Sequence, residues 1–360
     1  MLEQIWKKIL RRKKVSLWAI PAFILWVASL VYRLLLLLRS LVKDQPIKLS
    51  IPVISVGNVT VGGTGKTPIV EFIARVLTYE GFKVGIVSSG YGRKEIKPVI
   101  MEGFKLAKCS PSLVGDEMNF LARSLPGVLF SIDKKKSIAA KNLESKGLVE
   151  LVIIDDGFQH LSLNRDCNIV TFDATLPAKL LKLFPYGLLR EPIKSIRRAD
   201  YVILTRTNFS NDTEEQIEYL KEFNSKADYY RARFISNDLI GTTKTLPDKI
   251  LSGKSVFLFA GIGNFGAFKK QVSRIASQID YALELPDHQE YDDHLLQKIK
   301  KLARKYDSDI IITTGKDWVK LRNFDFGREI YYLGQSIDLD PGEEKFILKL
   351  KDKLNLRNTK

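Results

Sequence analysis

The run ISVGNVTVGGTGKTPIVEFIARVL, residues 54–77, constrains the fold more than any other stretch of the chain. A β-branched strand runs into a glycine-rich loop, and the loop ends in Gly65-Lys66-Thr67 at the head of a helical pattern. Glycines 62, 63 and 65 let backbone N–H groups turn inward around Thr64, and the positive end of the helix dipole adds to them. Such a loop is built to surround phosphate oxygens. Lys66 then reaches β- and γ-phosphates, and the Thr67 hydroxyl is placed for Mg²⁺. Pro68 is tolerated because the first helical turn needs no N–H from it. Thr60 stands where the usual G-x-x-x-x-G-K-[ST] spacing has its first glycine. Val61 separates the chain from ATPases that carry a lysine just ahead of the two glycines.

Phosphoryl transfer also needs a carboxylate at a strand end to hold a metal. LVIIDDGFQH, residues 151–160, supplies Asp155 and Asp156 at the tip of an apolar strand, with Gly157 and His160 behind them. Two adjacent acids repel each other unless a cation is near, although Asp156-Gly157 also reads as a plain turn. A further pair, Asp116-Glu117, follows Gly115 and opens a helical pattern. Acids are favoured at that end of the dipole, so capping and catalysis both account for it.

The N-terminus asks for a membrane. From Ser16 to Tyr32 the chain has 17 residues without a charge, at the short end of the ~17 to 25 that a spanning helix needs. Residues 1–43 hold nine basic side chains, Lys7, Lys8, Arg11, Arg12, Lys13, Lys14, Arg33, Arg39 and Lys43, against Glu3. This net +8 is half of the chain's +16. Anionic headgroups attract such residues by about 1 kcal/mol each. Basic flanks on both sides pull both ends toward the cytoplasmic face, so a helix lodged in one leaflet rivals a full span. No small-residue cleavage site follows, which argues against a removable signal peptide. LVYRLLLLLR has no polar face, which argues against a buried helix of a soluble core. The clustering of charge here, with no aromatic-basic recognition motif, weakens a nucleic-acid partner.

Past Asp44 short apolar runs alternate with helix-length amphipathic segments. Strands are expected at 51–57, 83–89, 148–156, 168–173, 200–206, 255–261, 309–315 and 329–334. The pattern predicts an α/β fold, P-loop NTPase-like, with a mostly parallel sheet flanked by helices. At 360 residues the chain exceeds a typical domain. The polar stretch NFSNDTEEQ divides a catalytic domain, 44–210, from a smaller α/β C-terminal domain, 211–360, behind the N-terminal membrane helix of 1–43. Cys109 and Cys167 form neither a disulfide framework nor a metal motif, as in a reducing compartment.

Nine motifs now stand in one order: GNVTVGGTGKTP (57–68), SGYGR (89–93), GDE (115–117), DDGFQH (155–160), LREP (189–192), RRAD (197–200), FAGIGN (259–264), DHQEY (287–291) and TTGKDWVKL (313–321). In that order they resemble the tetraacyldisaccharide 4'-kinases of Gram-negative bacteria, over nearly the whole chain. The resemblance implies ATP-dependent phosphorylation of the lipid A disaccharide, as one step of lipid A biosynthesis, at the cytoplasmic face of the inner membrane. The partners it implies are the lipid disaccharide and the membrane lipids. It implies Asp116 as catalytic base with His288 as its dyad partner, and Lys66 and Thr67 on the phosphates and Mg²⁺. Glu117, Asp155 and Asp156 would organise the metal, with Gln159 and His160 in support. Tyr91 would face the lipid, and Arg93 and Arg190 would contact phosphate or substrate.

The chain departs from the family pattern at Ser89, often Arg; at Phe265-Gly266 after GIGN, often Pro-Glu; and at Gly315, where the family has Glu. None touches the phosphate loop, Asp116, the double aspartate or His288. A membrane-recruited P-loop switch without a lipid acceptor is the remaining enzymatic alternative.

Overall fold

The phosphate-loop strand β1 (Val53–Asn58) is buried along its whole length because a parallel strand lies on either side of it, β5 (Leu151–Asp155) and β6 (Cys167–Asp173). The computed structural model describes residues 5, 6, 9, 10, 18–41 and 45–356. Of the basic N-terminal residues, Lys7, Lys8, Arg11, Arg12, Lys13, Lys14 and Lys43 lie outside the described residues. The remaining strands are β2 (Val84–Ser88), β3 (Val99–Glu102), β4 (Leu129–Ile132), β7 (Tyr201–Thr205), β8 (Asp228–Ile240), β9 (Thr245–Leu246), β10 (Ser255–Ala260), β11 (Gln278–Glu284), β12 (Ile310–Thr313) and β13 (Ile330–Asp340). All join one sheet in the order β11-β10-β12-β13-β8-β7-β6-β1-β5-β2-β4-β3, with β9 against β8. Pairing is parallel except at β8–β13, β3–β4 and β8–β9, so the fold is the expected P-loop NTPase-like, mostly parallel α/β sheet.

Both faces are covered, as parallel sheets require. Ile54, Ile153 and Ile86 meet α2 (Lys66–Tyr79), α3 (Asp116–Ser124) and α9 (Glu343–Leu354) through Ile69, Ile73, Leu121 and Phe346. Their neighbours Val53, Val152 and Val87 meet α4 (Lys136–Ser145) through Ala139, Ala140 and Leu143 on the opposite face. Ile217 and Leu220 of α5 (Thr213–Lys221) pack with Val170 and Val202. In the second half, Val256, Leu258 and Ile312 pack on α6 (Phe265–Val272), while Phe257, Phe259 and Ile311 pack on α7 (Asp293–Tyr306) and α8 (Gly315–Leu321). The period-2 alternation of each strand thus feeds two helical layers.

The sheet runs without a break past residue 210. β8 pairs in parallel with β7, then antiparallel with β13 over a long register from Tyr332↔Ile240 to Asp340↔Arg231. This seam fixes the second half against the first.

α1 (Ala19–Leu41) stands apart from these layers. Its stretch Ala19–Arg39 has a mean hydropathy of 2.1 and only 11% of it is buried. At about 1.5 Å per residue the helix is long enough to cross a hydrocarbon core of about 30 Å. Ile20, Phe23, Ile24, Leu34 and Leu35 are exposed, so α1 is no core helix. It is tied to the body where the Tyr32 hydroxyl donates to the Arg190 carbonyl at 2.8 Å, and ahead of it the Trp6 indole N–H donates to the Pro185 carbonyl at 2.7 Å.

Candidate active site

The phosphate loop owes its shape to β6, β7 and β8, on one side of β1. Gly65 caps α2 with φ 78°, and a Cβ there would also fall 2.6 Å from the Phe234 ring, so only glycine fits. Thr205 Oγ1 donates to the Thr64 carbonyl at 2.8 Å, and the Thr64 and Thr171 hydroxyls share a bond of 2.7 Å. Arg206 donates to the Gly63 carbonyl at 2.8 Å and pairs with Asp173. Thr60 lies behind this loop in a β-bridge with Leu189, buried, with its hydroxyl unpartnered. Bridge backbone needs no glycine, which is why the missing first glycine does not disturb the loop.

A cavity of about 560 Å³ opens over Gly62, Gly63, Thr64, Gly65, Lys66 and Thr67, within the ~300 to 1,000 Å³ usual for small-molecule sites. Glu117, Lys136, Asp155, Asp156, Arg190 and Lys316 line it as well. A second cavity of about 730 Å³ runs from Trp6 and Leu10 past Leu176, Leu180, Phe184 and Leu188. Tyr91, His288 and the loop glycines 62 and 63 line both cavities, so the two meet there.

Two acid pairs lie beside the first cavity, with Glu117, Asp155 and Asp156 in its lining and Asp116 behind them. Asp116 opens α3, only 6% exposed, and its Oδ2 lies 3.2 Å from His288 Nδ1 and 2.8 Å from Lys320 Nζ. Burial pushes its carboxyl up, but the His288 hydrogen bond and the Lys320 charge outweigh it and hold the carboxyl well below the usual range. His288 is raised in return, chiefly by its bond to Asp116. It sits at φ 57°, a strained setting for a non-glycine residue, and its ring meets Tyr91 edge-on at 4.8 Å. Glu117 pairs with Lys316, which holds it low against the burial that would raise it.

The other pair closes β5. Asp156, at φ 51°, lies 3.4 Å from Lys66 and 3.0 Å from Arg190. Burial raises its carboxyl, and Lys66, Arg190 and Lys136 together outweigh that and lower it. Asp155 is buried with Oδ1 lacking any hydrogen-bond partner, and burial, then Glu117, push its carboxyl up to about 7.

Thus Lys66, Thr67, Glu117, Asp155, Asp156, Tyr91, Arg190 and His288 come together, with Asp116 one layer behind His288. Besides Asp116, four residues sit outside the lining. The Arg93 guanidinium donates to the carbonyls of Lys97 at 2.9 Å and Ile96 at 3.3 Å, bracing its own loop. Gln159 donates to the Asn58 carbonyl at 2.7 Å. Burial lowers His160 to about 4, which keeps it neutral. Thr60 is the fourth.

Sequence reasoning missed three lysines, Lys136, Lys316 and Lys320. Lys136, inside the charged run DKKKS, is 3% exposed and donates to the carbonyls of Asp155 and Asp156, each at 2.7 Å. Nothing local in a charge run announces such burial. Lys320 had a signal, since Lys316 and Lys320 are four apart and share a face of α8. The same helix explains one departure from the family pattern: a Cβ at Gly315 would fall 2.1 Å from the Phe120 ring, leaving no room for the expected glutamate.

Comparison with known proteins points one way. A tetraacyldisaccharide 4'-kinase of Halothermothrix orenii is 33% identical over 346 residues, covering 89% of this chain and 90% of its own. One from Bdellovibrio bacteriovorus is 34% identical, covering 76% and 81%. Among solved structures, LpxK from Aquifex aeolicus, an "apo" form in complex with ATP, superposes with a TM-score of 0.70 at 28% identity, over 91% of this chain and 98% of that one. The sequence profile of the tetraacyldisaccharide-1-P 4'-kinases matches residues 21–355, and with a phosphate loop, two acid pairs and an exposed apolar helix in one molecule, the chain belongs to that family.

Proposed function

We propose that this chain transfers the γ-phosphoryl group of ATP to the 4'-hydroxyl of a tetraacyl glucosamine disaccharide 1-phosphate, at the cytoplasmic face of the inner membrane. The observation that carries this reading is the meeting of the two cavities at Tyr91 and His288. One holds the phosphate loop; the other is walled by apolar side chains and starts at Trp6, beside α1.

The triphosphate lies along Gly62–Thr67, with Lys66 leaving Asp156 to neutralise the phosphate oxygens. Thr67, Glu117, Asp155 and Asp156 would hold Mg²⁺. The orphaned Asp155 Oδ1 is the feature that fits a cation. Among the described residues no three His, Cys, Asp or Glu form a ready-made cage, as suits an ion that takes one or two carboxylates and fills the rest with phosphate oxygens and water. Bound there, the metal would supply charge neutralisation on the phosphates.

The acceptor hydroxyl approaches from the second cavity and gives its proton to the Asp116–His288 pair, with Asp116 as the base and His288 orienting it. Its oxygen bonds to the γ-phosphorus as the bond to the β-phosphate oxygen breaks, and ADP leaves. Holding both reactants at this junction is worth roughly 7 to 11 kcal/mol of barrier. Tyr91 guides the acceptor, and Arg190 bridges Asp156 to the phosphates. We divide the labour between the regions 44–210, which carries the nucleotide loop and the acids, and 211–360, which brings His288, Lys316 and Lys320. The acyl chains stay in the bilayer, to which α1 brings the cleft, aided by Arg33 and Arg39.

The test is incubation with γ-labelled ATP and vesicles with or without the lipid disaccharide. Label at the 4' position, with ATP loss that needs the acceptor, is expected. Equal ATP loss in both, with no labelled lipid, would establish the switch alternative instead.

A further inference from the structure

The stretches FAGIGN, DHQEY and TTGKDWVKL meet at one carboxylate that phosphoryl transfer does not use, that of Asp317. Asp317 lies in the first turn of α8 and is fully buried. Its Oδ2 accepts from the Gly261 N–H at 3.0 Å and from the Thr314 hydroxyl at 2.7 Å, and its Oδ1 accepts from the Tyr291 hydroxyl at 2.8 Å. An acid taken out of water is costly unless donors replace the water it loses. Here the donors come from three separate segments: the end of β10, the cap of α8 and the loop 286–291.

Two of those segments hold His288. Gly261 gives its N–H to Asp317, and its carbonyl accepts the His288 N–H at 3.1 Å. Tyr291, three residues past His288, ties the far end of the same loop to α8. Lys320, three residues along α8 from Asp317 and on the same face, donates to the Gln289 carbonyl at 3.2 Å. The backbone of His288 is therefore fixed on both sides. A non-glycine residue keeps φ 57° only where its surroundings over-determine it. Loosened from these ties, the loop would relax and carry the imidazole away from Asp116, now 3.2 Å distant. The Tyr291 ring packs edge-on against Phe259 at 6.5 Å, so packing holds the ring and the hydroxyl serves Asp317.

We propose that Asp317, acting through Tyr291 and Gly261, is a positioning residue that holds His288 against Asp116 for proton transfer. The inference rests on the reading of Asp116 and His288 as the base pair, and it adds the device that aligns them.

Steady-state phosphorylation of the lipid disaccharide by the full chain in detergent micelles tests it, read as a double-mutant cycle. Tyr291→Phe removes one oxygen and keeps the ring; it should lower kcat about tenfold and leave the KM for ATP within about twofold. His288→Ala should lower kcat about a hundredfold. Adding Tyr291→Phe to it should change kcat by less than about twofold, because the hydroxyl then has nothing left to align. Asp317→Asn, which sets an amide N–H against one of the donors, should show the same dependence on His288 with a larger loss. Wild-type kcat in Tyr291→Phe overturns the proposal. So does an equal factor lost with and without His288, which is what general loosening of the fold produces. Near-normal kcat in His288→Ala removes the base-pair reading itself, which separates the two failures.

Discussion

The acid pair that opens α3 and the acid pair that closes β5 are chemically alike, yet the protein treats them oppositely. Asp116 and Glu117 each receive a lysine from one face of α8, and Asp116 receives His288 besides. Their charges are satisfied by the protein alone, and both carboxyls are held low. At the tip of β5, Asp156 has Lys66 and Arg190, while Asp155 is left with an unpartnered oxygen and a carboxyl pushed up to about 7. Under the proposed mechanism, Asp116, whose charge the chain neutralises, serves proton transfer, and the bare oxygen of Asp155 is kept for a cation. The partners also differ in origin. Those of the first pair come from beyond residue 286, so it is complete only when the second half of the sheet is docked. Those of the second pair come from β5's own half.

Substitutions can break this contrast. Lys66→Ala removes the cation that serves Asp156 and the phosphates together, and should lower kcat/KM by about 10⁴ with ATP binding weakened in direct titration. Asp116→Asn should lower kcat about a thousandfold and leave the KM for ATP within about twofold, as steady-state rates on the lipid acceptor would show. Near-normal turnover would end the assignment of the base. Lys320→Ala should cost about tenfold in kcat, with Lys320→Arg recovering most of it because the charge returns; an Arg variant no better than Ala would reduce Lys320 to packing.

The smallest effect is a gain. With a folded pKa about 7 against an ordinary ~3.9, Asp155 holds a proton in the folded state that the unfolded chain has released over the window from about pH 4 to 7. Stability therefore falls as pH rises through that window, and the full penalty is present above it. Asp155→Asn should melt higher than wild type at pH 8 without metal, and no differently at pH 4. A variant less stable than wild type at pH 8 would mean that Asp155 is satisfied by something other than a cation.

Much of this was legible before the structure. The loop from Gly62 to Thr67, both acid pairs and eight strands are set by local pattern, and all eight strands form with ends moved by a few residues. EIYYLG proves to be only the start of β13, which runs on to Asp340 through the polar stretch QSIDLD. β8 was not read at all, although DYYRARFISNDLI alternates; Arg231 and Arg233 on its exposed face pair with Asp340 and Asp338 of β13, a partner a hundred residues away. β3, β4, β9 and β11 also went unread, and β3 and β11 are half-exposed strands with a mixed pattern. Within the site, Lys136 looked like surface charge because burial belongs to the fold and not to the neighbours in sequence. Arg93, in a motif of the family, proves to hold its own loop.

The most direct measurement is calorimetric titration of ATP, with and without Mg²⁺, into wild type, Asp116→Asn and Asp155→Asn. The contrast between the two pairs predicts that Asp116→Asn keeps the wild-type gain in affinity on adding Mg²⁺ and that Asp155→Asn loses it. The reverse pattern, or an equal loss in both variants, would contradict the account.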